Sequence, residues 1–243
     1  MLREMTSRYG RASGGYVWAF LEPIGMIVVL ALGFSLLVRH PSLGNSFILF
    51  YASGYLVFMH FQTIERAVSR SIPYARGLLY YPIVTWLDAI LARFLLNTLT
   101  NVLNSILILG VTIYITGSNM MIDLAPMVEA MAAATVLGIG IGTFNALMIG
   151  VWPIWLNIWG IVTRPLMIAS AVLFIMEDLP TAAANILWYN PLVHLTGLMR
   201  SGLYTNYDPQ YISIPYVLGI GMVELAVGLL FLRRYASAII ADT

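Results

Sequence analysis

Long apolar runs separated by short polar clusters organise this chain. Six runs stand out: roughly Pro23 to Val38 (short unless extended back through Tyr16–Leu21), Phe47 to Ile64, Leu91 to Thr116, Leu124 to Val151, Ile154 to Met176 and Ile214 to Leu232. Most reach the length of about 20 residues that a helix needs to cross a ~30 Å hydrocarbon core. The pattern predicts an all-α polytopic membrane protein: one transmembrane domain over residues 1–243 with six transmembrane helices. Composition points the same way. Hydrophobic residues make up 60% of the 243 positions and charged residues 9%, against about 25% charged in an ordinary soluble domain. So few charges cannot coat a water-facing surface, which excludes a soluble globular protein and a disordered one.

Three segments do not read as spans. Before the first span, Leu2, Met5, Tyr9, Ala12 and Tyr16 recur at helical spacing while Arg3, Arg8 and Arg11 fall elsewhere. Residues 1–21 therefore read as an amphipathic helix lying in the membrane interface, bent at Gly14-Gly15. It serves either as a basic anchor or in gating and substrate admission. Between the second and third spans, Arg66 to Asp88 is too basic and too interrupted by Pro73, Gly77 and Pro82 to cross. Ser71 to Tyr81 is expected to form a short surface helix that offers Leu78, Leu79 and aromatic side chains to a partner or to lipid headgroups. Before the last span, Glu177 to Pro215 is unusually apolar for a loop. Ala182–Trp188 and Pro191–Leu203 look helical, with Pro180 and Pro191 near the starts, where proline is tolerated. Neither is long enough to span, so a re-entrant or interfacial hairpin is expected. Trp188, Tyr189, Tyr204 and Tyr207 are placed at headgroup level. The hairpin either covers a pore or anchors the chain at the interface.

Charge sets the orientation. Arg3, Arg8, Arg11, Arg66, Arg70, Arg76, Arg233 and Arg234 fall on one side of the six spans, and Arg39 and Arg200 on the other. The excess predicts both termini in the cytoplasm, and a cleaved signal peptide is not expected. There is no Cys, which removes disulfides, thiolate nucleophiles and thiolate metal sites. All twelve basic residues are Arg, so no GxxxxGK[ST] phosphate loop exists. If the protein uses ATP, another polypeptide binds it.

Polar residues inside the spans each need an account. Arg93, Asn97, Asn101, Asn104 and Ser105 step along one face of the third span, for interhelical hydrogen bonds or for pore lining. Arg164 and Glu224 fall at similar depth, so Arg164 is expected to pair with Glu224, meet an anionic substrate or snorkel to the surface. Gly138, Gly142, Ala146 and Gly150 form a small-residue packing face. His40, His60 and His194 are too scattered for a metal site, and Ser53 cannot reach His60 for catalysis. Tyr51, Tyr55, Phe58 and Phe61, with Trp152, Trp155 and Trp159, can face a cavity, where aromatic rings offer sliding surfaces for sugars.

The stretches Leu2-Arg3-Glu4-Met5, Arg8-Tyr9-Gly10-Arg11, Gly15-Tyr16-Val17-Trp18 and Glu22-Pro23, with Tyr189-Asn190-Pro191-Leu192-Val193-His194 and Arg200-Ser201-Gly202, carry a resemblance. The chain resembles the permease subunits of bacterial capsular polysaccharide exporters, in the type-2 exporter branch of the ATP-binding-cassette superfamily. Length and layout match throughout. Related O-antigen permeases share the outline, but Gly10 and Glu22 favour the capsule type; Gly14 departs from the bulkier residue expected there. The resemblance implies an inner-membrane homodimer without a catalytic site. Two cytoplasmic ATPase subunits would bind ATP and Mg. A coupling helix over residues 69–81 would dock on them through Arg70, Tyr74, Arg76, Leu78 and Tyr80. Lipid-linked polysaccharide would be admitted beside Arg8, Tyr9, Arg11, Trp18 and Glu22 and pass Tyr55, Phe58 and Arg164. A periplasmic gate over residues 178–207 would use Trp188, Tyr189, Asn190, Pro191, His194 and Arg200. Further expected partners are membrane lipids, a periplasmic co-polymerase and an outer-membrane exporter, and no nucleic acid. The rivals are an O-antigen or teichoic-acid exporter, an ion-coupled carrier, which would show inverted repeats, and an intramembrane enzyme, which lacks a catalytic cluster here.

Overall fold

A computed structural model describes residues 15–81, 83–117 and 122–242. Arg8, Tyr9, Arg11 and most of the expected interface helix lie outside these residues. The described chain forms helices α1 (Gly15–Ser35), α2 (Phe47–Ser69), α3 (Ser71–Leu79), α4 (Trp86–Thr116), α5 (Leu124–Val151), α6 (Trp155–Ala169), α7 (Thr181–Leu187), α8 (Pro191–Leu203) and α9 (Ile214–Asp242), with a 3₁₀ turn at Met176–Asp178. No strand occurs among the described residues.

Local chemistry fixes several ends. The Ser46 hydroxyl accepts from the Leu49 amide at the start of α2. Thr85 and Asp88 form a reciprocal capping box at the start of α4, and Gly117 ends that helix in the left-handed region at φ 62°. Asp123 caps α5 through the Ala125 amide. Asn190 caps α8 through the Leu192 amide, with Pro191 in the first turn.

Four runs are long and apolar enough to cross a membrane: Phe47–Leu79, Trp86–Thr116, Leu124–Val151 and Ile214–Ala236. The apolar Phe20–Ser35 stretch of α1 and the 15-residue α6 are shorter. The fifth apolar run is thus not one helix to Met176. α6 contains Pro165, which lacks an amide donor, and its helix ends at Ala169 before Ala171, whose φ is 56°.

α2 and α5 are the centre. Apolar side chains of α2 such as Phe50, Val57, Phe61 and Ile64 are almost wholly enclosed, as are Ala134 and Leu137 of α5. Many residues on the outer faces of α1, α4 and α9, among them Leu32, Leu99, Leu103 and Leu230, are apolar and exposed, the pattern expected when lipid is the solvent. The small-residue face packs as expected: a Cβ on Gly138 would meet Ile64 at 3.0 Å, and one on Gly142 would meet Val68 at 2.8 Å. A second such face was not read from the sequence. A Cβ on Gly140 would strike the Gly221 carbonyl, and one on Gly228 would lie 2.8 Å from the Phe144 nitrogen, so α9 lies against the α5 backbone.

Candidate functional site

Two cavities of about 420 and 370 Å³ flank the second half of α2 and share Tyr55, Gln62, Arg66 and Arg70 as common wall. The first is closed on its far side by α6, through Trp159, Thr163 and Arg164, and includes Phe58 and Glu65. The second reaches Glu22 of α1, Tyr74 of α3 and the α4 stripe Arg93, Asn97, Asn101 and Asn104. Helical spacing explains the gathering. Gln62, Arg66 and Arg70 recur every four residues and stack on one face.

The electrostatics are cationic. Four arginines, Arg66, Arg70, Arg93 and Arg164, line these walls, against the carboxylates of Glu22 and Glu65. Arg66, Arg70 and Arg164 have no carboxylate oxygen within 4.0 Å among the described residues. Arg93 stacks over the Tyr74 ring at 4.0 Å and donates to the Arg70 carbonyl at 3.4 Å. Arginine guanidinium groups offer fixed forks of donors that suit phosphate and carboxylate.

The expected Arg164–Glu224 ion pair is absent among the described residues. Arg164 shares a cavity wall with Glu65, on the α2 side of α6. Glu224 belongs to α9, which packs along α5. Two of the α4 amides bond within their own helix. Asn97 donates to the Arg93 carbonyl at 2.7 Å and Asn101 to the Asn97 carbonyl at 2.8 Å. Their side chains line the second cavity.

Of the other residues singled out in the sequence, Arg76, Leu78 and Tyr80 lie exposed on and just after α3, and Trp18 is exposed on α1. Tyr74 faces both the surface and the second cavity.

The hairpin residues form a clamp. Arg200 is 1% exposed. Its guanidinium donates to the carbonyls of Ala171 (2.7 Å), Phe174 (2.7 Å) and Val172 (2.8 Å) and lies 4.1 Å from the Phe50 ring centre. Asn190 Nδ2 donates to the Ala169 carbonyl at 2.9 Å, and the Thr196 hydroxyl to the Ser170 carbonyl at 2.9 Å. The carbonyls freed where α6 ends are thus taken by α8 and its cap. Ser213 N–H donates to His194 Nδ1 at 3.1 Å, so His194 Nε2 carries the proton and donates to the Trp188 carbonyl at 2.8 Å. Burial holds the imidazole pKa below its ordinary value and favours this neutral form. Tyr189 is exposed, Trp188 and Pro191 are half-buried, and Trp188 donates to the Tyr211 carbonyl at 3.0 Å. Tyr204 and Tyr207, expected at headgroup level, are buried; the Tyr207 hydroxyl donates to Glu177 at 3.0 Å.

Three groups at the cavity were not singled out as site residues: Gln62, Glu65 and Arg66. The four-residue spacing of Gln62, Arg66 and Arg70 inside and after an apolar run was the available signal. Glu65 is 1% exposed and accepts from Asn145 of α5; only its position in an apolar run hinted at burial.

Comparison with known proteins agrees with this architecture. Residues 1–204 match the family described as ABC-2 type transporter. The chain is 30% identical over 243 residues to the polysialic acid transport protein KpsM of Escherichia coli, across 99% of this chain and 93% of that one. It is 27% identical over 239 residues to the capsule polysaccharide export inner-membrane protein CtrC of Neisseria meningitidis serogroup B, across 98% and 90%. It is 24% identical over 239 residues to the capsule polysaccharide export inner-membrane protein BexB of Haemophilus influenzae, again across 98% and 90%. With four membrane-length helices and a family match over most of its length, this chain belongs to the ABC-2 type transporter family.

Proposed function

We propose that this chain is the membrane subunit of an ATP-driven exporter that moves lipid-linked capsular polysaccharide across the bacterial inner membrane. The relatives' names point to that cargo. The observation that carries the reading is the build of α2. α2 bears Arg66 on the cavity wall, and Arg70, on the same wall, is the single residue that joins it to α3. There Tyr74, Arg76, Leu78 and Tyr80 are exposed, and Tyr80 is 68% so. A partner that pushes on residues 69–81 therefore pushes on the cavity wall.

In this reading the chain crosses six times with both termini cytoplasmic, α1 and α6 supplying the two crossings beyond the four long runs. Two copies form the path. Two ATPase subunits dock beneath them and bind ATP and Mg, which supply the driving force. The cavity arginines hold the anionic lipid end, Arg8, Tyr9, Arg11, Trp18 and Glu22 flank its way in, and Tyr55 and Phe58 face the sugar chain. Residues 178–207 are the outer gate, a re-entrant hairpin. Irregular backbone at membrane depth is tolerated where protein satisfies it, and the Arg200 clamp does that for residues 169–174. A periplasmic co-polymerase and an outer-membrane exporter receive the glycan.

The test is to co-express the chain with the ATPase of a capsule exporter, with Arg76 and Tyr80 intact or replaced by Ala, and to measure complex formation and ATP turnover. The reading predicts a stable complex that the Arg76→Ala, Tyr80→Ala pair weakens or uncouples. If no ATPase binds the unaltered chain, the reading fails.

A further inference from the structure

α6 forms one wall of the arginine-lined cavity, yet it is poorly supported: of its 15 residues only Thr163 is buried. Its apolar packing is limited to half-buried side chains such as Leu166 and Met167, so polar ties carry more of its support. Its C-terminal end is held by Asn190 and Thr196, which take the carbonyls of Ala169 and Ser170. Its N-terminal end is held by a chain of three side chains from three helices. Trp155 Nε1 of α6 donates to Asn145 Oδ1 of α5 at 2.9 Å, and Asn145 Nδ2 donates to Glu65 Oε1 of α2 at 2.8 Å.

The order of this chain is chemically determined. An indole only donates. A buried amide between that indole and the Glu65 carboxyl oxygen has one orientation that satisfies both. Asn145 is 0% exposed and Glu65 1%, so water does not compete. Gly142 lets α2 and α5 come close enough for the contact: a Cβ there would lie 3.1 Å from the Glu65 carbonyl. Trp155 in turn stacks on Trp159 of the cavity wall, with ring centres 6.4 Å apart and planes 19° apart.

We propose that Glu65 and Asn145 are positioning residues that tie α6 to α2 through Trp155, so that movement of α2 carries the far wall of the cavity with it. The consequence for transport rests on the exporter reading; the tie itself concerns this chain alone. Breaking the tie leaves ATP hydrolysis running and lowers the glycan moved per ATP.

The experiment uses the complex with its ATPase and three variants. Glu65→Gln keeps an oxygen that accepts from Asn145. Asn145→Leu removes both bonds. Trp155→Phe keeps a stacking ring and loses only the N–H, at a half-buried site where folding is least at risk. The chain has no Cys, so Ile48→Cys on α2 and Ile161→Cys on α6 carry spin labels without competing sites, diluted with unlabelled chain. Glu65→Gln should keep the narrow α2–α6 distance distribution of the unaltered protein and its glycan-per-ATP ratio. Trp155→Phe and Asn145→Leu should broaden the distribution. They should also lower the ratio, Trp155→Phe about fivefold, the factor a single ordinary hydrogen bond carries, and Asn145→Leu by more, since it loses two. An unchanged distribution in Trp155→Phe overturns the tie, whatever the complex does. A broadened distribution with an unchanged ratio overturns its role in coupling. Failure of the unaltered chain to bind an ATPase would sink the exporter reading and leave the distance measurement standing.

Discussion

Arg200 and Arg66 both approach α2, one beside Phe50 and Gly54, the other sixteen residues beyond Phe50, about 24 Å along the helix. Arg200 is enclosed, and its donors are spent on three carbonyls of the chain that ends α6. Arg66 stands with Arg70 on a cavity wall, exposed and without a carboxylate in ion-pair range among the described residues. The two share a residue type and a place beside α2, one reaching it from α8 and the other carried on it, and differ in what their donors touch. One guanidinium is structure; the other is available to a ligand. The α3 end of α2 is therefore where substrate chemistry is expected, and the hairpin end, its donors spent within the chain, is where it is not.

The comparison breaks first at Arg200. Arg200→Met leaves the carbonyls of residues 171, 172 and 174 without their donor in an enclosed site. Each unsatisfied group costs about 1–3 kcal/mol, so the variant is expected to lose most of its yield as monodisperse protein and to unfold at a much lower temperature. Normal yield and melting would show that the clamp is dispensable. Gly140→Val is a control placed at neither end. It drives a side chain into the Gly221 backbone, and overpacking of this kind costs about 1–3 kcal/mol. A lowered melting temperature is expected, with ATPase binding retained by the folded fraction.

Arg66→Gln with Arg70→Gln should do the reverse of Arg200→Met. Exposed substitutions usually change stability by less than about 0.5 kcal/mol, so melting should hold while glycan transport falls about tenfold or more, in line with lost charge-assisted hydrogen bonds.

The smallest effect is a pH dependence at the clamp. Burial keeps the folded-state pKa of His194 below its ordinary 6.5, so as pH falls the unfolded chain takes up the proton first. The contribution of His194 to stability is complete above about pH 6.5 and is lost as pH falls below it. A protonated Nδ1 would also face the Ser213 N–H, donor against donor. Melting measured from pH 8 to pH 5 should fall more for the unaltered chain than for His194→Asn, and equal slopes would remove His194 from the account.

Much of the scaffold was legible because its signals are local. The apolar runs, the Gly117 stop, the Asn190-Pro191 start of α8 and the short helix from Ser71 all depend on residues a few positions apart. The relevant contacts are not local. Arg200 finds carbonyls 26 to 29 residues away, and Asn145 finds Glu65 80 residues away. No periodicity announces such partners. The Arg164–Glu224 pair failed for the same reason: equal depth does not say which faces of two helices meet. Arg66 was visible as a charge that sets orientation, but its cavity exists only once α1, α4 and α6 surround α2.

The most direct measurement is transport of lipid-linked capsular glycan into inverted membrane vesicles by the chain with its ATPase, comparing the unaltered protein with the Arg66→Gln, Arg70→Gln pair. The account predicts that the variant assembles, docks the ATPase and hydrolyses ATP, and that glycan accumulation falls about tenfold or more, as loss of charge-assisted contacts requires. Accumulation equal to that of the unaltered protein would contradict it.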